Sequence, residues 1–357
     1  MSDQETTPVD EEKLHDFIGQ MLGDLGGAFS VPLVRIGEQL GLYKALHEKG
    51  PMTSQELADA SGTAERYIRE WASHQAASNY IAYDAASAKF SLPPEQAMVF
   101  AVDDSPVNLL GAFDATVAII EGAPNIQKAF QSGDGVGWGD HSQCLFCSTA
   151  KFFRPGYKNH LVQEWLPALD GVTDKLATGG TVADVGCGYG ISTALMARAY
   201  PNAKFVGYDF HEGSITHAND LAKQEGLSNL SFEVALAKDF PALGYDLVTM
   251  FDCLHDMGDP AGAAAHIRTT LADNGTLMLV EPMAGDTLEE NMNPVGRLYY
   301  GGSTMICVPT SLAQEVGAAL GAQAGEAKLT EVISAGGFTN IRRATETGFN
   351  MILEARP

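Results

Sequence analysis

Basic residues are scarce in this chain: 22 Lys and Arg stand against 45 Asp and Glu over 357 residues, a formal net charge of -23. Binding to DNA or RNA draws on Lys and Arg at phosphates, so the deficit opposes a nucleic-acid reader, and it equally opposes docking on anionic membranes. Long apolar runs are missing too. No stretch reads as long enough to span a bilayer, and the opening MSDQETTPVDEE is acidic and polar, unlike a signal or transit sequence. A cytoplasmic protein with a disordered tail over residues 1–12 is expected. Cysteine is sparse and odd in number: Cys144, Cys147, Cys187, Cys253 and Cys307. That fits reduced thiols rather than a disulfide framework. Only Cys144 and Cys147 form a CxxC, with no second pair or histidines at ligand spacing, so no metal is expected there.

What is present is a composition with 45% hydrophobic and 19% charged residues and 38 glycines, on a chain long enough for two domains of common size. From about Leu14 to Leu92 the pattern is helical, in short segments broken by Gly and Pro. Thr53 to Glu56 is a capping box, Gly62 supplies a turn, a second helix follows from about Ala64, and Tyr80 to Leu92 alternates as a small hairpin. Helix, turn, helix, hairpin is the winged-helix pattern, assigned to residues 13–100. Its second helix carries Arg66, Arg69 and His74 but also Glu65 and Glu70, so dimerisation or substrate gating fits better than DNA binding.

Residues 101–170 read as a mostly helical, aromatic-rich linker and gating segment. Within it QSGDGVGWGDH spaces four glycines alternately from Gly133 to Gly139. Neither a Gly-Lys-Ser/Thr nor a preceding strand accompanies them, so a mobile loop is expected rather than a phosphate cradle.

Residues 171–357 alternate strand and helix. TVADVGC, AKFVGYD, LSFEVA, YDLVTMFD and TLMLVEP are apolar strands, the last after an Asn274-Gly275 turn, and TNIRRATE and FNMILEAR follow with only a turn between them. The expected fold is α/β: a doubly wound, mostly parallel seven-stranded sheet with a terminal antiparallel hairpin, joined to the mainly helical winged-helix-like domain.

VADVGCGYG places a glycine-rich turn after the first of these strands, and about 20 residues later the second strand ends at Asp209, positioned to accept from a ribose hydroxyl. These facts alone also fit a dinucleotide-binding protein, but GxGxG departs from the GxGxxG that cradles a pyrophosphate. The stretch CLHDMGDP at the end of YDLVTMFD holds a metal site, a catalytic base or merely a polar strand end. Asp259-Pro260 opens a helix. Composition alone allows a metal on His255, Asp256 and Asp259, but adjacent residues on an extended chain point to opposite sides, so His255 and Asp256 are not expected to share an ion.

The glycine turn, the acid after the second strand and the terminal hairpin resemble the class I S-adenosylmethionine-dependent methyltransferases (Rossmann-like fold). The resemblance implies that Asp184, Gly186 and Gly188 face the methionine part of the cofactor, Asp209 the ribose and Phe210 the adenine, with Ala237, Lys238 and Asp252 also at the cofactor. The winged-helix-like domain and Leu254-His255-Asp256-Met257 resemble the plant-type small-molecule O-methyltransferases more closely, with Met in place of their Trp, and the whole chain is similar to bacterial two-domain relatives. By that resemblance His255 is the general base, Glu281 orients it, and the protein is a homodimer through its N-terminal domain. Phe153, Tyr157, Arg297, Tyr299 and Tyr300 are candidates to line the pocket of a small-molecule acceptor, and an inward Arg297 would imply an acidic acceptor. A hydroxyl acceptor needs a base, whereas a thiol ionises more readily, so an S-methyltransferase stays open. The alternative from another class is a winged-helix regulator that senses S-adenosylmethionine without catalysis.

Overall fold

The computed structural model describes residues 8–357. The chain forms two compact units, one ending at Val117 and one spanning Ala118–Pro357. Their division falls within the helix Leu110–Glu121, so the expected 101–170 segment is shared between the units rather than standing alone. Of the expected tail, residues 1–7 lie outside the described residues, and Glu11 and Glu12 already open the first helix, whose N-cap Asp10 accepts from the Glu12 and Lys13 N–H groups.

That helix, Glu11–Gln39, corrects the expectation of short broken segments. It runs 29 residues through Gly19, Gly23, Gly26, Gly27 and Pro32, and it is the one described helix long and apolar enough to cross a membrane by length and composition. A lone glycine lowers helix propensity by only about 1 kcal/mol, which a sustained apolar stripe overrides. Leu14, Phe17, Ile18, Leu22, Leu25 and Phe29 recur at three- and four-residue steps on one face and are exposed, Phe29 by 68%.

The remainder of the first unit follows the winged pattern. Thr53 Oγ1 accepts from the Glu56 N–H at 3.2 Å while the Glu56 carboxylate accepts from the Thr53 N–H at 2.8 Å, so the capping box starts the helix Ser54–Ser61. Gly62 turns at φ +67°, and the helix Glu65–Ala77 follows. Strands β1 (Ala82–Asp84) and β2 (Lys89–Ser91) pair antiparallel, and Met52 bridges to Phe90. Tyr43 anchors the core between Trp71 and Phe100, with ring centroids 5.2 and 4.8 Å away, and its hydroxyl donates to Gln75 Oε1. The first helix lies against Trp71 because Gly37 has no side chain: a Cβ there would sit 2.5 Å from Trp71 Cζ2.

In the second unit seven strands, β3 (Thr181–Val185), β4 (Lys204–Asp209), β5 (Leu230–Val234), β6 (Tyr245–Phe251), β7 (Leu271–Pro282), β8 (Asn340–Glu346) and β9 (Asn350–Arg356), form one sheet in the order β5-β4-β3-β6-β7-β9-β8. Pairing is parallel from β5 to β7 and antiparallel at β7–β9 and β8–β9. Alternate residues serve the two faces. Val182, Leu247, Met278 and Ile352 enter one core, and Ala183, Val248, Leu277 and Leu353 the other. The Asn274-Gly275 turn is absorbed into β7 as a bulge: Tyr245 pairs with Leu271 and Leu247 with Thr276. The carboxyl ends of β3, β6 and β7 thereby share one edge, where such sheets bind ligands.

Filling the space at Gly37 forces Trp71 or the helix to move, so Gly37→Ala is expected to lower stability by about 1–3 kcal/mol, read as a fall in Tm of the first unit.

Candidate active site

The glycine turn after β3 is stapled to the next strand. Gly186 and Cys187 N–H both donate to the Tyr208 carbonyl, at 2.8 and 3.1 Å. Gly186, Gly188 and Gly190 all have positive φ. A Cβ on Gly190 would strike Phe232, but one on Gly188 would meet nothing within 4 Å, so the turn is packed behind and open in front. Asp209 closes the turn: one carboxylate oxygen accepts from the Gly188 N–H at 2.9 Å and the other from the His211 N–H at 2.8 Å. Half of its lone pairs remain for a hydroxyl pair. An open glycine cradle beside an acceptor carboxylate, with Phe210 half exposed next to it, fits the ribose and adenine of S-adenosylmethionine.

Four of the expected cofactor residues have partners within the protein itself. Asp184 is fully buried, and its carboxylate accepts from the Ser192, Thr193 and Thr249 hydroxyls. It braces the turn from within; burial pushes it up to about 6 against those hydrogen bonds. Lys238 is held by Asp259 at 3.2 Å and Glu315 at 3.0 Å, and Ala237 packs on the core. Asp252 engages the last strand instead: Asn350 Nδ2 donates to its Oδ1 at 2.7 Å, while Oδ2 is buried without a hydrogen-bond partner. Burial, then the Glu281 charge, raise its pKa well above the usual carboxylate range.

The end of β6 makes the sharpest local turn. Asp252 sits at φ +50°, its N–H donating to Val280 O at 2.8 Å, and Leu254–Asp256 then forms a single 3₁₀ turn. Glu281 on β7 is 1% exposed and holds that turn with both oxygens: one accepts from the Leu254 N–H at 2.9 Å, the other from His255 Nδ1. With Nδ1 donating, Nε2 is the nitrogen left for chemistry. It lies 3.1 Å from Asp256 Oδ1, a contact without hydrogen-bond alignment that leaves Oδ1 with no donor. The expectation that His255 and Asp256 diverge therefore fails, because the chain is coiled here and not extended. Asp259 is apart from them, accepting from the Gly262 N–H as cap of the helix Pro260–Thr270. Burial alone would lower the His255 pKa, but the Glu281 and Asp256 charges bring it well above the ordinary imidazole value.

A third element closes on this turn. The helix Pro294–Gly302 continues through Ser303–Cys307 into Val308–Leu312. Ser311 Oγ donates to Met257 O at 2.7 Å and Gln314 Nε2 to Asp256 O at 2.9 Å, which brings buried Cys307 beside His255 and Asp256. Burial pushes the Cys307 thiol up to about 12. Neither Cys307 nor Asn350 stood out in the sequence, since neither lies in a motif.

The aromatic candidates separate. Tyr157 is buried against Phe251 (5.2 Å) and stacks on Phe153 (5.9 Å); burial and then Asp252 raise its pKa. Tyr299 is buried and its hydroxyl donates to Phe349 O at 2.9 Å. Tyr300 is 37% exposed, and Arg297 is also exposed, on the side of its helix opposite Gly296 and Tyr299. The Gly133–Gly139 loop is docked rather than loose: Val136 N–H donates to Pro309 O at 2.9 Å, and a Cβ on Gly135 would meet Ala313 N at 2.1 Å.

Residues 176–335 match the family described as "Methyltransferase domain", and residues 28–101 the "Rv2258c-like winged HTH domain". A stretch of 122 residues is 26% identical to 2-methyl-6-phytyl-1,4-hydroquinone methyltransferase of Synechocystis, covering 34% of this chain and 36%, about a third, of that protein's length. Two solved structures share the fold along nearly the whole chain. One, from Nostoc punctiforme, has a TM-score of 0.71 at 18% identity over 98% of this chain and 99% of its own. The other, human N-acetylserotonin methyltransferase in complex with S-adenosylmethionine, has a TM-score of 0.68 at 15% identity over 100% and 99%. The chain thus joins an Rv2258c-like winged HTH domain to a methyltransferase domain.

Proposed function

We propose that this protein transfers the methyl group of S-adenosylmethionine to a hydroxyl of a small molecule, with His255 as general base and Glu281 as the residue that orients it. The observation that carries this reading is the buried Glu281 carboxylate gripping both His255 Nδ1 and the Leu254 N–H. S-adenosylmethionine, when bound, supplies an electrophilic methyl on a sulfonium that departs as a neutral thioether. Asp209 and the Gly186–Gly188 turn would hold it. His255 Nε2 takes the hydroxyl proton as the oxygen attacks, and Glu281 steadies the imidazolium that results. Asp256 must yield Nε2 before that transfer. Tyr157 and Tyr299 shape the apolar side of the acceptor pocket, where orientation in near-attack geometry supplies most of the rate.

The first unit supports a homodimer. Its exposed stripe of Leu14, Phe17, Leu22, Leu25 and Phe29 is the kind of surface a second copy covers. Arg66 pairs with Glu70 and Arg69 with Glu65 along one helix, which leaves little positive charge for phosphates and supports a non-DNA role. A cytoplasmic location accords with the acidic composition.

With methyl-labelled S-adenosylmethionine and an acceptor selected from a panel of small phenols and thiols, His255→Ala is expected to lower kcat about 10²–10⁴-fold while calorimetric binding of S-adenosylhomocysteine stays normal. A near-full rate would instead place the acceptor among thiols. Because His255 must be neutral to accept a proton, activity rises with pH through its raised pKa. Asp256→Asn removes one negative neighbour, so the rising limb of the pH–rate profile moves to lower pH. Leu22→Glu combined with Phe29→Glu is expected to convert a dimer to a monomer in sedimentation velocity; a wild-type monomer would refute the dimer.

A further inference from the structure

We propose that His255, Asp256 and Cys307 form a binding site for a divalent transition-metal ion of the Zn²⁺ class. Their ligand atoms all lie within 4.8 Å of one another, and His255 and Cys307 are buried. The chemistry of the contact points the same way. His255 gives its Nδ1 hydrogen to Glu281, which leaves Nε2, 3.1 Å from Asp256 Oδ1, as the ring's ligand atom. Oδ1 has no hydrogen-bond donor, so its lone pairs are available to an ion. A metal at about 2.0–2.3 Å from each ligand sets ligand atoms a little over 3 Å apart, the separation of His255 Nε2 and Asp256 Oδ1, with Cys307 within 4.8 Å of both.

The donor set selects the ion. Imidazole, carboxylate and thiolate together favour Zn²⁺, Co²⁺ or Ni²⁺ over Mg²⁺ and Ca²⁺, which take oxygen ligands. Three protein ligands leave a fourth tetrahedral position for water or another small ligand. Glu281 already occupies the outer position behind the imidazole that orients metal-bound histidines. Cys307 is carried to the site by the helix ties from Ser311 to Met257 and from Gln314 to Asp256, so the third ligand is positioned by packing and not by chance exposure. Binding displaces the thiol proton, and the ring proton on Nε2 when present, to solvent, so affinity rises with pH. Resting on the assignment of His255 as base, occupancy also blocks methyl transfer, because the ion takes the same lone pair that accepts the proton.

The test uses the full-length protein, stripped with chelator and titrated with Co²⁺ as a spectroscopic probe and Zn²⁺ by calorimetry. One equivalent is expected, with a thiolate-to-cobalt charge-transfer band and proton release that scales with buffer ionisation enthalpy. Cys307→Ser should abolish the band and weaken Zn²⁺ binding by roughly tenfold or more, whereas Cys144→Ser with Cys147→Ser should leave both intact, and excess Mg²⁺ should not compete. Absence of the band, or its loss in the Cys144/Cys147 double variant with survival in Cys307→Ser, overturns the site. Circular dichroism of each variant separates lost ligation from lost fold. Methyl transfer followed in parallel separates the two readings. Zn²⁺ bound at Cys307 without inhibition refutes His255 as base and leaves the metal site standing, whereas a His255→Ala collapse with no metal binding does the reverse.

Discussion

The buried carboxylate of Glu281 is the interaction on which the candidate site depends. It sits on β7, yet both its oxygens serve the turn that follows β6, one on the Leu254 N–H and one on His255 Nδ1. A carboxylate 1% exposed between two strands is stable only when its lone pairs are met by donors, so the turn and the acid specify each other. The neighbouring pairing of Phe251 with Val280 fixes the register that makes this reach possible. Shifting β7 by one residue would turn Glu281 to the opposite face and leave the histidine unsupported.

Around that point the second unit arranges charge unevenly. Asp184 and Asp209 occupy the cofactor turn, Asp252, Asp256 and Glu281 the end of β6 and β7, and the cationic form of His255 is the only nearby counter-charge named among them. Two of the acids, Asp184 and Asp209, are made tolerable by hydroxyl or backbone donors, whereas Asp252 is only half satisfied.

Much of this was legible in the sequence, and the reasons are local. The seven strands announced themselves because continuous apolar runs such as YDLVTMFD and MILEAR have few other homes, and the Thr53–Glu56 capping box fixed a helix start by chemistry confined to four residues. His255 and Glu281 were legible as a pair only through the resemblance to the plant-type O-methyltransferases; the apolar runs gave the strand ends and not the pairing. What stayed hidden depended on three-dimensional return of the chain. The 3₁₀ coil that turns Asp256 back onto His255, the approach of Cys307 across about 50 residues, and the hold of Asn350 on Asp252 leave no periodic trace. The unbroken first helix was missed for the opposite reason: four glycines weigh against a helix locally, while its stripe extends over 29 residues.

Asp252 shows where the fold sets stability against purpose. A non-glycine residue at φ +50° with a buried, partnerless oxygen is unfavourable twice over, through its backbone and through desolvation, by a few kcal/mol in total. The surrounding sheet over-determines it, since β6, β7 and β9 are all anchored within a residue or two. Because those anchors hold Asp252 from three strands, relaxing its backbone would also release the start of the turn that carries His255, so the strain and the geometry of the histidine cannot be separated.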